Sequence, residues 1–149
     1  MSSQNIEYNF PALQKHGYSI TSPPTPNYNC IAWAAGDPNK WWWPVHVNGY
    51  YWPPNLPRII DLDIFIDAFK SLGYSPCGSS ELEIGFEKVA VYTDKNGKPT
   101  HAARQLPSGR WTSKLGNLED IEHNALMGVE GKIYGNVAKI LKRTLSKSK

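Results

Sequence analysis

Prolines and tryptophans are concentrated in one part of this chain. The stretch 23–57 holds eight of the twelve prolines and five of the six tryptophans among 149 residues. Proline fixes its own φ angle and disfavours a helical conformation in the residue before it. Pro23, Pro24 and Pro26 therefore keep the chain extended, and Pro38 stops any helix that precedes it. We predict a long irregular segment here, which leaves the regular core to other residues.

One short helix is predicted inside this segment, over the sequence Cys-Ile-Ala-Trp-Ala-Ala. Asn29 is a suitable N-cap residue and Gly36 a suitable C-terminal stop, so Cys30 would be the first helical residue. A second helix is predicted from about residue 61 or 62 to residue 72, where apolar residues recur at helical spacing before Gly73.

The second half of the chain changes to the alternating pattern of strands. Three adjacent antiparallel strands are predicted over 86–93, 99–106 and 110–116, joined by turns at 94–98 and 107–109. Two further helices are predicted, one over 118–126 with Asn117 as its cap and one over 134–145. The second is inferred from Val137, Ile140 and Leu141, which share one helical face.

These elements predict an α+β fold in a single domain that spans residues 1–149. N-terminal helices would pack on a small antiparallel sheet of three or more strands, with a C-terminal helix packing back on it. Residues 1–23 are expected to form an extended arm, and 146–149 a basic tail. One domain is the expected number at this length.

Composition and charge exclude several classes of protein. The chain is 40% hydrophobic and 19% charged, which is enough apolar surface to offset the entropy of ordering. No apolar run approaches 18 residues, so no membrane partner is expected. The net charge of +3 comes from five basic residues within the last eleven, which hold no acid. This is the pattern of a solvated chain end, and we expect no nucleic-acid partner.

A secretory signal has a basic start followed by an apolar run, and the first ten residues contain neither. The sequence therefore predicts a cytoplasmic protein, or one exported by a route independent of an N-terminal signal peptide. Two cysteines are too few for a disulfide framework or a closed zinc site, and no Cys-x-x-Cys or His-Glu-x-x-His pattern occurs. No metal and no cofactor is predicted, and the oligomeric state is left open.

Cys30 is the candidate nucleophile. A thiol at a helix N-terminus meets the positive end of the helix dipole and unpaired backbone N–H groups, which favour the thiolate. Cys77 lies in a predicted turn without a partner and is interpreted as structural. A buried apolar role is the alternative for Cys30 as well.

His101 is the candidate base, because a cysteine nucleophile needs an imidazole that takes its proton. The imidazole in turn needs an orienting partner, which the next strand can supply. A turn centred on Ser108 places Ser113 one diagonal step from His101 on the same face, whereas a shifted turn places Lys114 and Gly116 there. Asn117, Glu119 and Asp120 remain alternatives, with Ser113 ranked first.

The segments 27–34, 101–105 and 109–116 together resemble the papain-like cysteine hydrolase superfamily in its compact bacterial versions. The resemblance covers about 24–123 and rests on the order of cysteine on the first helix, histidine opening a later strand, then an orienting polar residue. It implies a papain-like fold and acyl transfer through a Cys30 thioester, with Asn27 or Asn29 helping to bind the oxyanion. The implied substrate is a peptide, an isopeptide, a peptidoglycan amide or a glutamine side chain. A role at the cell wall would need export by a route without a signal peptide, as for an injected effector toxin.

A substrate groove is expected near the aromatic residues. Its predicted lining residues are Trp33, Trp42, Trp43, His46, Tyr51 and Trp111. Three consecutive tryptophans in an extended segment cannot all point the same way, so at least one should be partly exposed. The alternative function is a non-catalytic module that binds protein or glycan through 41–52. His123, among acidic neighbours in a predicted helix, is interpreted as part of an exposed ion pair.

Overall fold

The computed structural model describes residues 2–116 and 118–145. Among these residues, seven strands form one antiparallel sheet: β1 (Tyr18–Ser22), β4 (Ser75–Cys77), β5 (Phe86–Thr93), β6 (Pro99–Gln105), β7 (Trp111–Lys114), β8 (Asp120–His123) and β9 (Asn136–Thr144). Their order across the sheet is β1-β8-β7-β6-β5-β9-β4.

The other elements are short and surround this sheet. The helices are α1 (Ser2–Asn9), α2 (Ala12–His16), α3 (Cys30–Ala35) and α4 (Leu62–Lys70), with a 3₁₀ turn at Leu126–Val129. Two further strands, β2 (Trp41–Trp42) and β3 (Tyr50–Tyr51), pair in parallel as a separate ribbon. The longest of the described helices has nine residues, so none of them could cross a membrane.

The sheet is covered on both faces. Because side chains alternate along a strand, Val89 and Val91 of β5 pack under α3 and α4, whereas Ala90 and Tyr92 pack against α1, α2 and the 3₁₀ turn. Each face therefore has its own hydrophobic core. A strand buried on both faces reads as a nearly continuous apolar run, as in the Val-Ala-Val-Tyr of β5.

The predicted fold class is wrong in its proportions, since a large sheet dominates and the described helices are few and short. The papain-like arrangement of helices on a small sheet is not what forms. The predicted C-terminal helix at 134–145 is strand β9, which pairs with β5 along its length and with β4 on its other side. A bulge at Ala138 explains the error, because it lets Val137 and Ile140 share one sheet face, as they would on a helix.

Two other predicted elements differ from the structure. Residues 118–126 hold β8 in place of a helix, and the predicted cap Asn117 lies outside the described residues. The arm at 1–23 is not extended, since its described part contains α1, α2 and β1. The predicted basic tail at 146–149 also lies outside the described residues.

Elements with strong local signals are confirmed. Asn29 caps α3 by accepting a hydrogen bond from the Ala32 N–H, and Gly36 ends the helix in the left-handed conformation. α4 begins after its cap Asp61, close to the predicted start. The meander β5-β6-β7 is also confirmed.

Candidate functional site

Cys30 lies where the sheet opens. α3 packs across β6 and β7, which in the described chain are paired only through residues 104–105 and 111–112. Towards the start of β6 the two strands separate. The Cys30 Sγ lies there, 3.9 Å from the carbonyl oxygen of Thr100, to which its thiol donates.

The environment of Cys30 is apolar. Only 6% of the residue is exposed, and burial raises the pKa of its thiol to about 11, although backbone N–H groups and Lys114 act in the opposite direction. The desolvation of a thiolate thus outweighs the field of a six-residue helix. At neutral pH Cys30 is a thiol, in contrast to the activated thiolate that its position in the sequence suggests.

A cleft of about 240 Å³ opens beside Cys30. The described residues that line it are Asn29, Cys30, Trp41, Trp43, Tyr50, Thr100, Gly116 and Tyr134. Four of these residues are aromatic and none carries a charged side chain. Larger depressions of about 420 and 390 Å³ lie on either side of Lys132, but neither contains a thiol or an imidazole among its described lining residues.

The β2–β3 ribbon presents the aromatic rings to this cleft. Trp41 pairs with Tyr50 in register, and their ring centroids lie 6.1 Å apart with 23° between the planes. Trp42 points the other way and is buried, with its indole N–H donating to Asp37. Trp41 and Trp43 are half-buried. The prediction that the three tryptophans cannot share one direction is confirmed.

His101 and Ser113 are brought together as the first-ranked pairing predicts. The His101 Nε2 lies 2.9 Å from the Ser113 Oγ. That oxygen lies 2.8 Å from the His123 Nε2, and the His123 Nδ1 lies 2.8 Å from the Ala125 carbonyl oxygen. All three side chains are completely buried. The β6–β7 register is the one expected for a turn centred on Ser108.

The hydrogen bonds that link His101, Ser113 and His123 have a fixed direction. A carbonyl oxygen can only accept, so the His123 Nδ1 carries the proton and its Nε2 is an acceptor. The Ser113 hydroxyl therefore donates to His123 and accepts from the Nε2–H of His101. The His101 Nδ1 is left with a lone pair, and it has no hydrogen-bond partner among the described residues.

Burial keeps both imidazoles neutral. It lowers the pKa of His123 to about 4, and the backbone hydrogen bond to Ala125 offsets only part of this effect. Burial also holds the pKa of His101 well below its ordinary value, and the proximity of His123 acts in the same direction. A neutral chain of donors and acceptors is the stable state at neutral pH.

His101 points away from α3. Its neighbour Ala102 packs with Cys30 under α3. Because adjacent side chains alternate along a strand, the His101 side chain faces the opposite side of the sheet. There its ring contacts Tyr92 and Tyr134, with centroid distances of 5.1 and 3.9 Å. No hydrogen bond joins Cys30 to His101 among the described residues. The structure thus forms the imidazole–hydroxyl half of the predicted triad without the thiol–imidazole half.

The predicted positioning residues have structural contacts. Asn29 is committed to local structure, since its Oδ1 accepts from the N–H groups of Ala32 and Trp42 and its Nδ2 donates to the Trp42 carbonyl. It thereby ties α3 to β2 at the edge of the cleft. Asn27 is exposed, and only its backbone N–H has a hydrogen bond in the described structure, to Thr25.

Of the predicted groove residues, only Trp43 lines this cleft. Trp33 stacks on Tyr28 and donates to Thr112, and Trp111 is buried in the core on the far face. The remaining groove residues also lie elsewhere: Trp42 is buried, Tyr51 packs against the core below Lys40, and His46 is exposed.

Sequence reasoning missed Trp41, Tyr50, Tyr134 and the buried position of His123. The alternation of Trp41-Trp42-Trp43 could have identified Trp41, because it shares a face with Trp43. His123 shares a face with Ile121 once 120–123 is taken as a strand. No local signal indicated Tyr134. Among the described residues, no group of three acidic, histidine or cysteine side chains could hold a metal ion.

The chain belongs to the family described as Domain of unknown function (DUF7689), whose model matches residues 19–142. The match includes Cys30, His101, Ser113, His123 and Tyr134. No curated protein and no solved structure matches the chain.

Proposed function

We propose that this protein binds an uncharged glycan in the cleft beside Cys30. The observation that carries the proposal is the set of half-buried rings of Trp41, Trp43 and Tyr50 in a cleft without a charged side chain among its described lining residues. Flat aromatic rings cover the apolar face of a sugar, while hydroxyl and amide groups bind its oxygens.

The size of the cleft favours a terminal sugar unit over a length of peptide. Its volume of about 240 Å³ is below the roughly 300 Å³ at which pockets begin to enclose drug-sized ligands. The chemistry of Cys30 also favours binding over covalent reaction. Its thiol pKa is raised to about 11 and its hydrogen bond goes to a backbone carbonyl, so no described base activates it.

Titration with neutral trisaccharides tests this function. We expect a saturable change in tryptophan fluorescence with at least one of maltotriose, cellotriose and chitotriose, because two indoles line the cleft. Trp41→Ala should weaken the affinity about tenfold, which corresponds to about 1.4 kcal/mol of lost stacking. Tyr8→Ala removes an equally aromatic but 87% exposed side chain outside the cleft and should leave the affinity unchanged. Absence of binding to every member of the panel would reject the proposal.

A second function, a cysteine-dependent hydrolase or acyltransferase acting on an amide, is supported by a different observation. The His101 Nδ1 carries a lone pair without a partner among the described residues, while Ser113 holds the other ring nitrogen. This is the tautomer that a general base requires. Acyl transfer would need substrate binding to bring that nitrogen to the Cys30 sulfur. A cytoplasmic location would keep this thiol reduced.

Cys30→Ala separates the two functions. Under the binding function, the variant should keep its glycan affinity within about a factor of two, because it loses one small apolar contact. Under the hydrolase function, wild type should form a thioester with an activated ester substrate, seen as a mass increase on Cys30 that Cys30→Ala lacks. Cys77→Ser is the matched control and should behave as wild type in both assays. Absence of acylation in wild type would eliminate the hydrolase.

A further inference from the structure

Tyr134 forms part of the wall of the cleft and carries a hydroxyl that can donate a hydrogen bond. Only 8% of the residue is exposed, and it lines the cleft together with Cys30. Its hydroxyl makes no hydrogen bond to any described residue, in contrast to that of Tyr92, which donates to the Leu126 carbonyl. Burial, assisted by the nearby Cys30, holds the pKa of Tyr134 well above its ordinary value. The phenol is therefore protonated and able to donate throughout the neutral range.

The ring of Tyr134 packs against two other rings. It stacks on His101 with a centroid distance of 3.9 Å and 11° between the planes, and it lies 5.0 Å from Phe10. Its backbone carbonyl accepts a hydrogen bond from the Thr100 hydroxyl. The next residue, Gly135, passes so close to Thr93 that a Cβ would clash with the Thr93 carbonyl oxygen. Ring and backbone are both restrained.

The stacking partner of Tyr134 is itself fixed. Rotation of the His101 ring would break its bond to Ser113, and this would also disturb the bond between Ser113 and His123. This series of hydrogen bonds ends at the backbone carbonyl of Ala125, in the segment that follows β8. Its buried polar groups cannot exchange partners with water without a large cost. The buried histidines therefore restrain the orientation of Tyr134 through the stacked ring of His101.

We infer that Tyr134 is the specificity-determining donor of this cleft, and that the His101–Ser113–His123 chain is its positioning element. The ligand must then present an uncharged acceptor oxygen, such as a sugar hydroxyl or an N-acetyl carbonyl, beside the apolar face that covers Trp41 and Tyr50. The inference rests on the proposed binding function and names the group on the ligand that the cleft selects. It also gives His101 a role that needs no contact with Cys30.

Two thiol reagents test this inference without a known ligand. In a Cys77→Ser background, Cys30 is alkylated with iodoacetamide, which has a neutral carbonyl acceptor, or with allyl bromide, which has none. Tyr134→Phe removes the hydroxyl and keeps the stacked ring. We expect the ratio of the two alkylation rates to fall about fivefold, which corresponds to one hydrogen bond of about 1 kcal/mol. Tyr8→Phe, an equally conservative change outside the cleft, should leave the ratio unchanged.

Ser113→Ala tests the positioning role. A general loosening of the fold would raise both alkylation rates together, so a lowered ratio reports the orientation of Tyr134 specifically. We expect the ratio to fall towards that of Tyr134→Phe and to be restored in part by Ser113→Thr, which keeps a hydroxyl. A wild-type ratio in Tyr134→Phe overturns the inference. A reduced ratio in Tyr134→Phe with a wild-type ratio in Ser113→Ala overturns its positioning part.

The outcome of the glycan titration is independent of the outcome of this test. A fivefold change of the ratio without binding of any trisaccharide would reject the glycan and keep Tyr134 as the donor to another neutral ligand. Glycan binding together with an unchanged ratio would keep the proposed function and reject the role of Tyr134.

Discussion

Lowering the pH from 7 to 4 is expected to remove about 3 kcal/mol of the free energy of unfolding through His123 alone. Burial lowers the pKa of His123 from 6.5 to about 4 in the folded protein. Below pH 6.5 the unfolded chain takes up a proton on this histidine that the folded chain does not bind. The stabilisation is complete above about pH 6.5 and is lost as the pH falls towards 4. Burial also lowers the pKa of His101, so this residue adds to the loss in the same direction.

Urea denaturation at several pH values measures this effect. His123→Gln keeps an amide that can accept from Ser113 and cannot titrate, so its stability should fall less steeply between pH 6.5 and 4, by about 1.4 kcal/mol per pH unit. His46→Gln changes an exposed histidine and should leave the slope at the wild-type value. Equal slopes in His123→Gln and wild type would contradict the buried neutral state of His123.

Replacing Lys114 by methionine is expected to lower the free energy of unfolding by about 3 kcal/mol. The Lys114 ammonium is buried and donates to three backbone carbonyls, those of Thr25, Gly116 and Leu118. Hydrogen bonds from a charged donor contribute roughly 1.5–3 kcal/mol each. Because the three accepting residues are only half-buried, water can replace part of this contribution. Burial lowers the pKa of Lys114, while Asp120, Cys30 and Glu119 act to raise it.

Lys114→Met should also disturb the cleft, because Gly116 is one of its lining residues. The melting temperature should fall by about 6–12 °C for a chain of this size. Lys95→Met, in the exposed turn between β5 and β6, is the matched control and should change the melting temperature little. A melting temperature within 2 °C of wild type in Lys114→Met would show that the three carbonyls do not depend on the ammonium.

Elements encoded by neighbouring residues could be predicted. Asn29 and Gly36 define α3 because a cap and a left-handed stop act within one turn of the helix. Counting along two strands gave two possible registers for the β6–β7 turn, and the observed pairing is the one that brings Ser113 to His101. Alternation along 41–43 likewise required at least one exposed tryptophan.

Other features depend on residues far apart in the chain. Val137 and Ile140 fit a helix or a bulged strand equally well, and pairing with β5 and β4 decides for the strand. The position of Cys30 at the start of α3 predicts a lowered thiol pKa, whereas the apolar surroundings in the fold raise it. Desolvation is the larger of the two effects. His123 becomes a buried acceptor only because β8 lies between β1 and β7.

The local sequence was enough to predict a helix that begins at Cys30, a three-stranded meander and an aromatic segment of mixed exposure, and it ranked Ser113 first among the candidate partners of His101. These features follow from hydrogen bonds and alternation over a few residues. Long-range packing makes His101 face away from Cys30 and stack on Tyr134, and it brings Trp41, Tyr50 and Tyr134 into one cleft. These features could not be predicted locally, because strands and helices distant in sequence set which face of the sheet a side chain occupies and how much water it loses.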